Sequence, residues 1–373
     1  MTLGSVGVIG GGINGLCIAS ALAQRGWQVE LFERGKCLQE TSSVSTKLLH
    51  GGLRYLAQGH LGLVAESLRE RGRWLRDAPE HCKWLSILLP IYENRRRPAW
   101  QWQLGLGIYD GLGLGQLPGF ARWLKSDEVT HLQPDLCTEG LQGAWQFWDG
   151  QMDEQCLGRW VLDKAIANGV DLHECSSVQA LSTTGLLQLH NGRYHQFSWI
   201  INAAGPWAAQ LLDCSAITSD VQLVLVRGSH LLVPVSDHLK LASHGLFVEV
   251  KGSDRIAFLL PYQGQLLVGT TEEPQTLESL IEVSVSERKM LWQLVDQYLP
   301  AWGAPARSHG KFFAGLRPIV RIPSMGKSNY STASRDSLFR RQHRLISVFG
   351  GKWTSARALA ERLLHTAPFN GQK

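Results

Sequence analysis

Residues 41–56 read TSSVSTKLLHGGLRYL and place five hydroxyl side chains next to a lysine, a histidine, two glycines, an arginine and a tyrosine. A simple core helix or strand has no need of such a mixture. Hydroxyl groups donate and accept hydrogen bonds, glycines allow close approach of the backbone, and the two cations attract an anion. The stretch therefore indicates a binding segment for a ligand that needs all three properties together.

A glycine-rich turn near the N-terminus provides a second candidate site. The apolar run 6–9 and the sequence GGGINGLCIASALAQRGWQVELFERG after it predict a strand, a glycine turn, a helix over 13–24 and a strand over 28–32. Gly10, Gly12 and Gly15 fill the G-x-G-x-x-G template, which allows a tight turn, backbone approach to a pyrophosphate and close helix–strand packing. The positive end of the helix then faces the pyrophosphate.

Glu33 ends the second strand, 18 residues after Gly15. A carboxylate at this position accepts hydrogen bonds from ribose hydroxyls, which argues against NADP but does not separate NAD from FAD. Residues 197–212, FSWIINAAGPWAAQLL, predict a strand over 199–202, a turn of small residues and a helix that starts at Pro206. Such a unit returns to the cofactor in two-domain flavoproteins and favours FAD; the alternative is an ordinary strand–helix unit.

Composition bounds the class of protein. With 373 residues, 44% of them hydrophobic, the chain can form two domains. The net charge of +5 suits a small anion or an anionic membrane surface and is too small to indicate nucleic acid. The seven cysteines are scattered and include no CxxC pair, so we predict free thiols and no metal site.

Targeting signals are missing from the N-terminal sequence MTLGSVGVIGGG, and the chain has no run of 18 apolar residues. We therefore predict a cytoplasmic protein. Within 91–123, Arg95, Arg96 and Arg97 precede Trp100 and Trp102 and an apolar, glycine-rich stretch. This order is typical of a segment that contacts a membrane interface; the alternative is a helical excursion packed on the substrate domain.

Residues 61–77 place leucines and valine on one helical face and charges, including Glu70 and Arg73, largely off it. This pattern predicts a core-facing helix with a solvated charged side.

The whole sequence resembles the FAD-dependent, aerobic-type glycerol-3-phosphate dehydrogenases. The motifs that carry the resemblance occur in the family's order from Gly10 to Ser355: GGGING, TSSVSTKLLHGGLRYL, NAAGPW, RGSHLLVP, LLVGTTE, AGLRP, SRD and FGGKWTS. Many flavoproteins share GxGxxG, and several amine oxidases share AAGPW, but KLLHGGLRYL, GSH and GTT are more particular. Glu272 replaces the usual aspartate and Arg227 the usual lysine. The sequence looks like a short form without the family's helical C-terminal domain.

The resemblance implies an α/β (α+β) fold with a Rossmann-like FAD-binding domain, from residues 1–85, 146–218 and 310–373. A mixed-sheet substrate or cap domain would comprise 86–145 and 219–309, with the membrane-contact segment in 91–123. The residues it implies for FAD binding are Gly10, Gly12, Asn14, Gly15, Glu33, Thr41, Ser42, Ser43, Lys47, Leu49, His50, Gly51, Gly52, Val178, Ala204, Gly205, Gly350, Gly351 and Thr354.

The implied reaction is oxidation of sn-glycerol 3-phosphate to dihydroxyacetone phosphate, a step of glycerol metabolism, with hydride transfer to FAD and electrons passed to a membrane quinone. Catalytic roles fall on His230 as the candidate base and on Arg54, Arg317 and Lys352; substrate contacts fall on Tyr55, Thr270, Arg317, Arg335 and Lys352. Peripheral contact at the cytoplasmic face of the inner membrane follows from the same resemblance. Oxygen as acceptor, another small hydroxy or amino anion as substrate, and a flavin-binding protein without turnover stay open as alternatives.

Overall fold

The structure is a computed structural model that describes residues 3–56, 59–93, 97–235, 239, 241–321, 337–366 and 368–371. The predicted substrate residue Arg335 lies outside these ranges, as do Arg95 and Arg96 of the segment proposed to contact a membrane. For Arg54 the backbone is described but the side chain is not.

A six-stranded sheet carries the N-terminal fingerprint. Its strands lie in the order β18-β19-β11-β1-β2-β7 and are β1 (Ser5–Ile9), β2 (Gln28–Phe32), β7 (Val170–His173), β11 (Trp199–Asn202), β18 (Leu338–Gln342) and β19 (Leu345–Phe349). All neighbours are parallel except β18, which runs antiparallel to β19. Strands of a parallel sheet are buried on both faces, which explains the apolar sequences of β1 and β19.

Helices cover this sheet because their apolar faces complete the core. Helix α1 (Ile13–Gln24) packs against α6 (Glu154–Ala167) and α10 (Ala356–Leu364). The core they share includes Leu16, Val161 and Leu359. The predicted limits of α1 and β2 are confirmed, because hydrophobic periodicity and the flanking glycines both mark these ends.

A ten-stranded mixed sheet forms the second layer. Its main path runs β16-β12-β15-β14-β13-β4-β6-β3, with β17 paired to β12 and β5 paired to β6. The strands are β3 (Leu48–Leu49), β4 (Cys82–Tyr92), β5 (Arg122–Lys125), β6 (Leu141–Met152), β12 (Gln222–Pro234), β13 (Gly245–Glu249), β14 (Ile256–Tyr262), β15 (Gln265–Gly269), β16 (Glu273–Pro274) and β17 (Lys311–Arg321). These strands confirm the mixed sheet predicted for the substrate region and, with the parallel sheet, the predicted fold class.

A small antiparallel sheet of β8 (Val178–Leu181), β9 (Leu186–Leu189) and β10 (Tyr194–Gln196) packs on the parallel sheet through an apolar cluster that includes Phe32, Leu187 and Phe197. The remaining helices of the described chain are α2 (Leu53–Leu56), α3 (Leu61–Asp77), α4 (Ala99–Leu112), α5 (Ser126–Leu132), α7 (Ala208–Cys214), α8 (Val285–Tyr298) and α9 (Pro300–Ala306). None of the described helices combines the length and apolar character needed to cross a membrane.

The predicted domain limits stay predictions, but two of them fall inside strands. Strand β4 runs through the limit at 85/86, and β6 runs through the limit at 145/146. Strand β17, which was assigned to the cofactor domain, pairs along its length with β12 of the large sheet. Strands β4 and β6 therefore each contain residues assigned to both predicted domains. No linker separates the domains at residues 85/86 and 145/146.

Candidate active site

A cavity of about 490 Å³ lies between the six-stranded and ten-stranded sheets. Its walls come from the β1–α1 turn, residues 38–55, the end of β11, strand β17 and residues 350–354. The predicted site residues that line it are Gly10, Gly12, Asn14, Gly15, Glu33, Thr41, Ser42, His50, Gly52, Tyr55, Val178, Ala204, Gly205, Thr270, Arg317, Gly350, Gly351, Lys352 and Thr354. Chain segments more than 300 residues apart in sequence thus meet around one cavity.

The glycines of the fingerprint are required by close packing. Gly10 has φ +106, and a Cβ there would lie 2.5 Å from the carbonyl oxygen of Ala203. A Cβ on Gly15 would lie 1.9 Å from the carbonyl oxygen of Gly10. Side chains at either position would push α1 away from β1 and β11. The N-terminus of α1 therefore faces the cavity at close range, as the fingerprint predicts.

Glu33 is held by the turn it faces. Its Oε2 accepts a hydrogen bond from Gly11 N at 2.7 Å, and its Oε1 accepts one from Gly35 N at 2.9 Å. These two bonds fix the carboxylate at the edge of the cavity, where a ribose would lie in a dinucleotide complex. Each oxygen keeps further acceptor capacity, because a carboxylate oxygen can accept more than one hydrogen bond.

Polar atoms at the cavity fit a phosphorylated cofactor. Ser42 Oγ accepts from Ile13 N at 3.0 Å, so this hydroxyl lies at the N-terminus of α1. Asn14 donates to Gly350 O at 3.5 Å, while its Oδ1 is buried and has no hydrogen-bond partner among the described residues. A buried amide oxygen that borders a cavity and has no partner is costly unless a ligand supplies a donor. The residues present therefore fit a bound dinucleotide.

A buried polar network supports the turn formed by His50, Gly51 and Gly52. Gly51 N donates to Tyr109 Oη at 2.8 Å, and Tyr109 donates to the Asp149 carboxylate at 2.8 Å. Arg71 Nη1 lies 2.7 Å from Asp149 Oδ1, with both side chains buried. Burial raises the pKa of Asp149, and Arg71 and the hydrogen bonds from Tyr109 and Gly51 oppose that rise. The network fixes the backbone that the resemblance places against the flavin ring.

Two cations and a hydroxyl also line the cavity. Arg317 Nη2 donates to Thr270 Oγ1 at 2.7 Å. The glycine of the RGSH motif makes room for this pair, since a Cβ on Gly228 would lie 2.4 Å from Arg317 Nη2. Lys352 Nζ lies 4.2 Å from the centroid of the Tyr55 ring. Ammonium and guanidinium groups beside hydroxyls can bind a phosphate through charge-assisted hydrogen bonds.

His230 is fully buried and pairs across the sheet with Gly269, the residue before Thr270. Its ring stacks on Phe313 with centroids 4.9 Å apart, and Nε2 lies 3.0 Å from Oγ1 of Thr46, which lines the cavity. The other nitrogen, Nδ1, has no partner among the described residues. Burial, with Arg317 and Lys47 nearby, holds the pKa of His230 well below its usual value. The imidazole is therefore neutral at physiological pH and able to accept a proton.

Glu287, in the first turn of α8, accepts hydrogen bonds from residues that lie near His230 on β12 and from Thr271. Oε1 accepts from Ser229 Oγ at 2.7 Å and from Thr271 Oγ1 at 2.6 Å, while Oε2 accepts from Arg227 Nη2 at 2.6 Å. Burial opposes ionisation, but these bonds and one from Ser284 N outweigh it and lower the pKa of Glu287 to about 2. Arg227, which replaces the family's usual lysine, thus pairs with the carboxylate of Glu287. The sequence analysis did not single out Glu287.

Some predicted cofactor residues lie behind the cavity wall. Ser43, Lys47, Leu49 and Gly51 do not border the cavity. The Lys47 ammonium pairs with the buried carboxylate of Glu154 and donates to Ser43 O at 3.1 Å. The contact of these four residues with a cofactor therefore stays a prediction. Sequence reasoning placed Thr46 in the binding segment but missed its contact with His230, and it missed Glu154, Asp149 and Glu287, because no local pattern marks a polar residue that pairs with a distant segment.

Comparison with known proteins agrees with this geometry. Residues 5–364 match the FAD dependent oxidoreductase family. A glycerol-3-phosphate dehydrogenase of Pseudomonas aeruginosa is 34% identical over 374 residues, covering 96% of this chain and 70% of that protein. A D-erythritol 1-phosphate dehydrogenase of Brucella abortus is also 34% identical, over 377 residues, covering 96% of this chain and 72% of that protein.

A solved structure gives the same picture of the fold. The glycerol-3-phosphate dehydrogenase from Bacillus halodurans, complexed with FAD, superposes with a TM-score of 0.73 at 23% identity. The alignment covers 96% of this chain and 63% of that one. The chain thus spans about two thirds of the length of these relatives.

Proposed function

This chain belongs to the family of FAD-dependent oxidoreductases, and on that premise we propose that it oxidises sn-glycerol 3-phosphate to dihydroxyacetone phosphate. One observation carries the proposal: Arg317, Thr270, Lys352 and Tyr55 line the same cavity as the glycines of the dinucleotide fingerprint. Candidate cofactor and substrate groups thus share one cavity. The names of the Pseudomonas aeruginosa and Brucella abortus relatives support a phosphorylated alcohol as substrate.

The cations hold the substrate by its phosphate. Arg317 offers a planar pair of donors to the phosphate oxygens, and Lys352 adds a second positive charge on the same cavity. Arg335 and Arg54 join this set in the proposal, on the strength of the resemblance alone. Fixing the phosphate fixes the carbon that carries the reacting hydroxyl, which removes much of the entropic cost of the reaction. FAD, when bound, supplies the hydride acceptor.

The reacting hydroxyl must also lose a proton. His230 is neutral and buried, and its Nε2 reaches the cavity through Thr46 Oγ1 at 3.0 Å. In the tautomer with the ring proton on Nδ1, Nε2 is the acceptor; a substrate hydroxyl that donates to Thr46 Oγ1 then passes its proton to this oxygen while Thr46 passes its own to Nε2. The carbon loses a hydride in the same reaction, so a carbonyl group forms and the proton resides on the imidazole. His230 thus acts as the general base.

The electron acceptor in this proposal is a membrane quinone, reached by peripheral contact at the cytoplasmic face of the inner membrane. Support comes from α4, where Trp100, Leu104 and Ile108 are 61%, 58% and 39% exposed and recur at every fourth residue. An exposed apolar stripe of this kind suits the headgroup boundary of a bilayer. Arg97 pairs with Glu249 at 3.1 Å, so it also has a structural role.

The test is an anaerobic absorbance measurement on the purified holoprotein. We expect addition of sn-glycerol 3-phosphate to bleach the flavin band, with D-erythritol 1-phosphate as a parallel arm that reports substrate choice. A flavin that stays oxidised with both, but is bleached by a small amino acid, would favour the amine-oxidase alternative. A flavin that no small hydroxy or amino anion reduces would favour a binding protein without turnover. Reoxidation by a quinone analogue or by oxygen then identifies the acceptor.

A further inference from the structure

A cluster of two imidazoles and two carboxylates lies outside the residues that line the cavity, at the β7 edge of the six-stranded sheet. We call Glu30, Asp171, His173 and His195 the edge cluster. His173 Nε2 lies 3.1 Å from Glu30 Oε2 and 3.4 Å from Asp171 Oδ2. His195 Nδ1 lies 3.5 Å from the same oxygen of Glu30. The ligand atoms of Glu30, Asp171 and His173 all lie within 4.8 Å of one another.

We propose that the edge cluster binds a divalent transition-metal ion of the zinc class. Zinc takes four ligands in a tetrahedron, with metal–nitrogen and metal–oxygen distances of about 2.0–2.2 Å. Two ligand atoms of such a tetrahedron lie about 3.3–3.6 Å apart, by the geometry of those distances. Of the three separations in the edge cluster, 3.4 and 3.5 Å fall in this range and 3.1 Å lies just below it.

The strands hold the ligands in place. Glu30 pairs with Asp171, and Phe32 with His173, in the parallel register of β2 and β7. Residues two apart on a strand point to the same face, so all three ligands of these strands share one side of the sheet. The ring of Phe32 stacks on His173 at 4.8 Å and meets His195 edgewise at 5.1 Å. Phe32 therefore orients both imidazoles toward the carboxylates.

One nitrogen of the edge cluster faces more acceptors than it has protons. His173 Nε2 carries at most one proton, yet it faces oxygens from two different carboxylates. Glu30 Oε2 faces nitrogens from two different imidazoles and, as a carboxylate oxygen, can accept from both. A divalent cation would be shared by Glu30, Asp171 and His173 and would neutralise the two carboxylate charges, with His195 next to Glu30. Each side chain is partly exposed, so the ion can enter from solvent.

An ion here would connect two sheets. Glu30, Asp171 and His173 belong to the parallel sheet, whereas His195 belongs to β10 of the small antiparallel sheet. The bound ion would stabilise the docking of the small sheet, because it binds the folded chain in preference to the unfolded one.

The experiment is calorimetric titration of the holoprotein with ZnCl2, beside His173→Gln and His195→Gln and the matched control His190→Gln. His190 is an exposed histidine in the turn between β9 and β10, outside the edge cluster. We expect one ion per chain, and at least about a tenfold loss of affinity in each cluster variant, because even outer-shell partners of a metal contribute that much. His190→Gln should bind like the parent.

Thiols provide the competing explanation, since Cys156, Cys175 and Cys214 are exposed. Cys175→Ser should therefore retain the site in full. Binding that is lost in Cys175→Ser, or that is equally weak in the parent and both cluster variants, would overturn the proposal. A second readout is the melting temperature with and without ZnCl2, which should rise in the parent and in His190→Gln only.

Discussion

Oγ1 of Thr46 lies 3.0 Å from Nε2 of His230, and Thr46 borders the cavity while the imidazole is fully buried. The hydroxyl is thus the link between the candidate base and the substrate. This relationship makes Thr46 a residue whose removal should affect chemistry rather than folding.

Thr46→Val should slow flavin reduction by sn-glycerol 3-phosphate about 100-fold, because it keeps the shape and removes the hydroxyl that carries the proton. Thr46→Ser restores a hydroxyl and should recover most of the rate. Stopped-flow absorbance of the holoprotein measures both, with flavin content as the control. Equal rates in the parent and Thr46→Val would remove the relay from the mechanism.

Arg317→Ala should raise the KM for the phosphorylated substrate by about 30- to 1,000-fold, the loss expected when one partner of a desolvated charge pair is truncated. Flavin content should not change. Gly228→Ala offers a sharper test, because its Cβ would displace the guanidinium without altering any charge. We expect kcat/KM to fall by roughly 10- to 100-fold.

Gly107→Ala is the matched control, since a Cβ there meets nothing within 4 Å. Steady-state kinetics with a dye acceptor distinguish the variants. A Gly228→Ala protein with parental kinetics would mean that the guanidinium position does not matter for binding.

His230 should stay neutral at pH values well below 6.5, since burial first, and then Arg317 and Lys47, lower its pKa. The unfolded chain binds this proton near pH 6.5 and the folded chain does not. Stability is therefore complete above that pH and falls as pH drops below it, by about 1.4 kcal/mol per pH unit for this one group.

Histidine-labelled NMR, assigned with His230→Gln, follows the protonation directly. Denaturant unfolding of the parent and the variant between pH 7 and 5 reports the stability, with the steeper fall expected in the parent. A His230 resonance that titrates near pH 6.5 would contradict the burial argument.

Glu287→Gln should destabilise the fold by about 3 kcal/mol, because it leaves Arg227 without its buried counter-charge. The pKa of Glu287 is lowered to about 2, so its contribution is present above the unfolded value near 4.5 and is lost as pH falls toward 2. The exposed Glu282→Gln is the control. The unfolding midpoints of the parent and Glu287→Gln should differ at pH 7 and converge in acid. A difference that stays constant with pH would show that Glu287 does not titrate in this range.

Replacing Trp100 and Leu104 by serine should reduce binding to vesicles that contain anionic lipid by at least about tenfold, given the transfer free energy of two exposed apolar side chains. Leu280→Ser, at another exposed leucine, is the matched control. Co-sedimentation measures the bound fraction. An unchanged bound fraction for the variant at Trp100 and Leu104 would favour the alternative of a helix packed only on the substrate domain.

Local patterns were sufficient to predict part of this site. The helix over 13–24, its glycines and Glu33 were predictable because each depends on neighbours within 33 residues of the N-terminus. Helix α3 was also predicted, but its charged face was wrong in part, because Glu70 is fully buried; Arg71, which the pattern did not single out, is fully buried as well. Arg71 pairs with Asp149, 78 residues away in sequence, and helical periodicity contains no information about such a partner.

The edge cluster illustrates the same limit. Its residues come from β2, β7 and β10, and no spacing in the linear sequence resembles a metal motif. Only the register of β2 with β7 and the docking of the small sheet bring the four side chains together.

The contact between Asn14 and Gly350 has a consequence for biosynthesis. The two residues are 336 positions apart, yet together they close one wall of the cavity. A ribosome that adds about 5–20 residues per second needs roughly 17 to 67 s to make the intervening chain. Throughout that interval the glycine turn exists without the segment that completes it. A nascent chain therefore cannot complete this wall of the flavin pocket until residue 350 has been made.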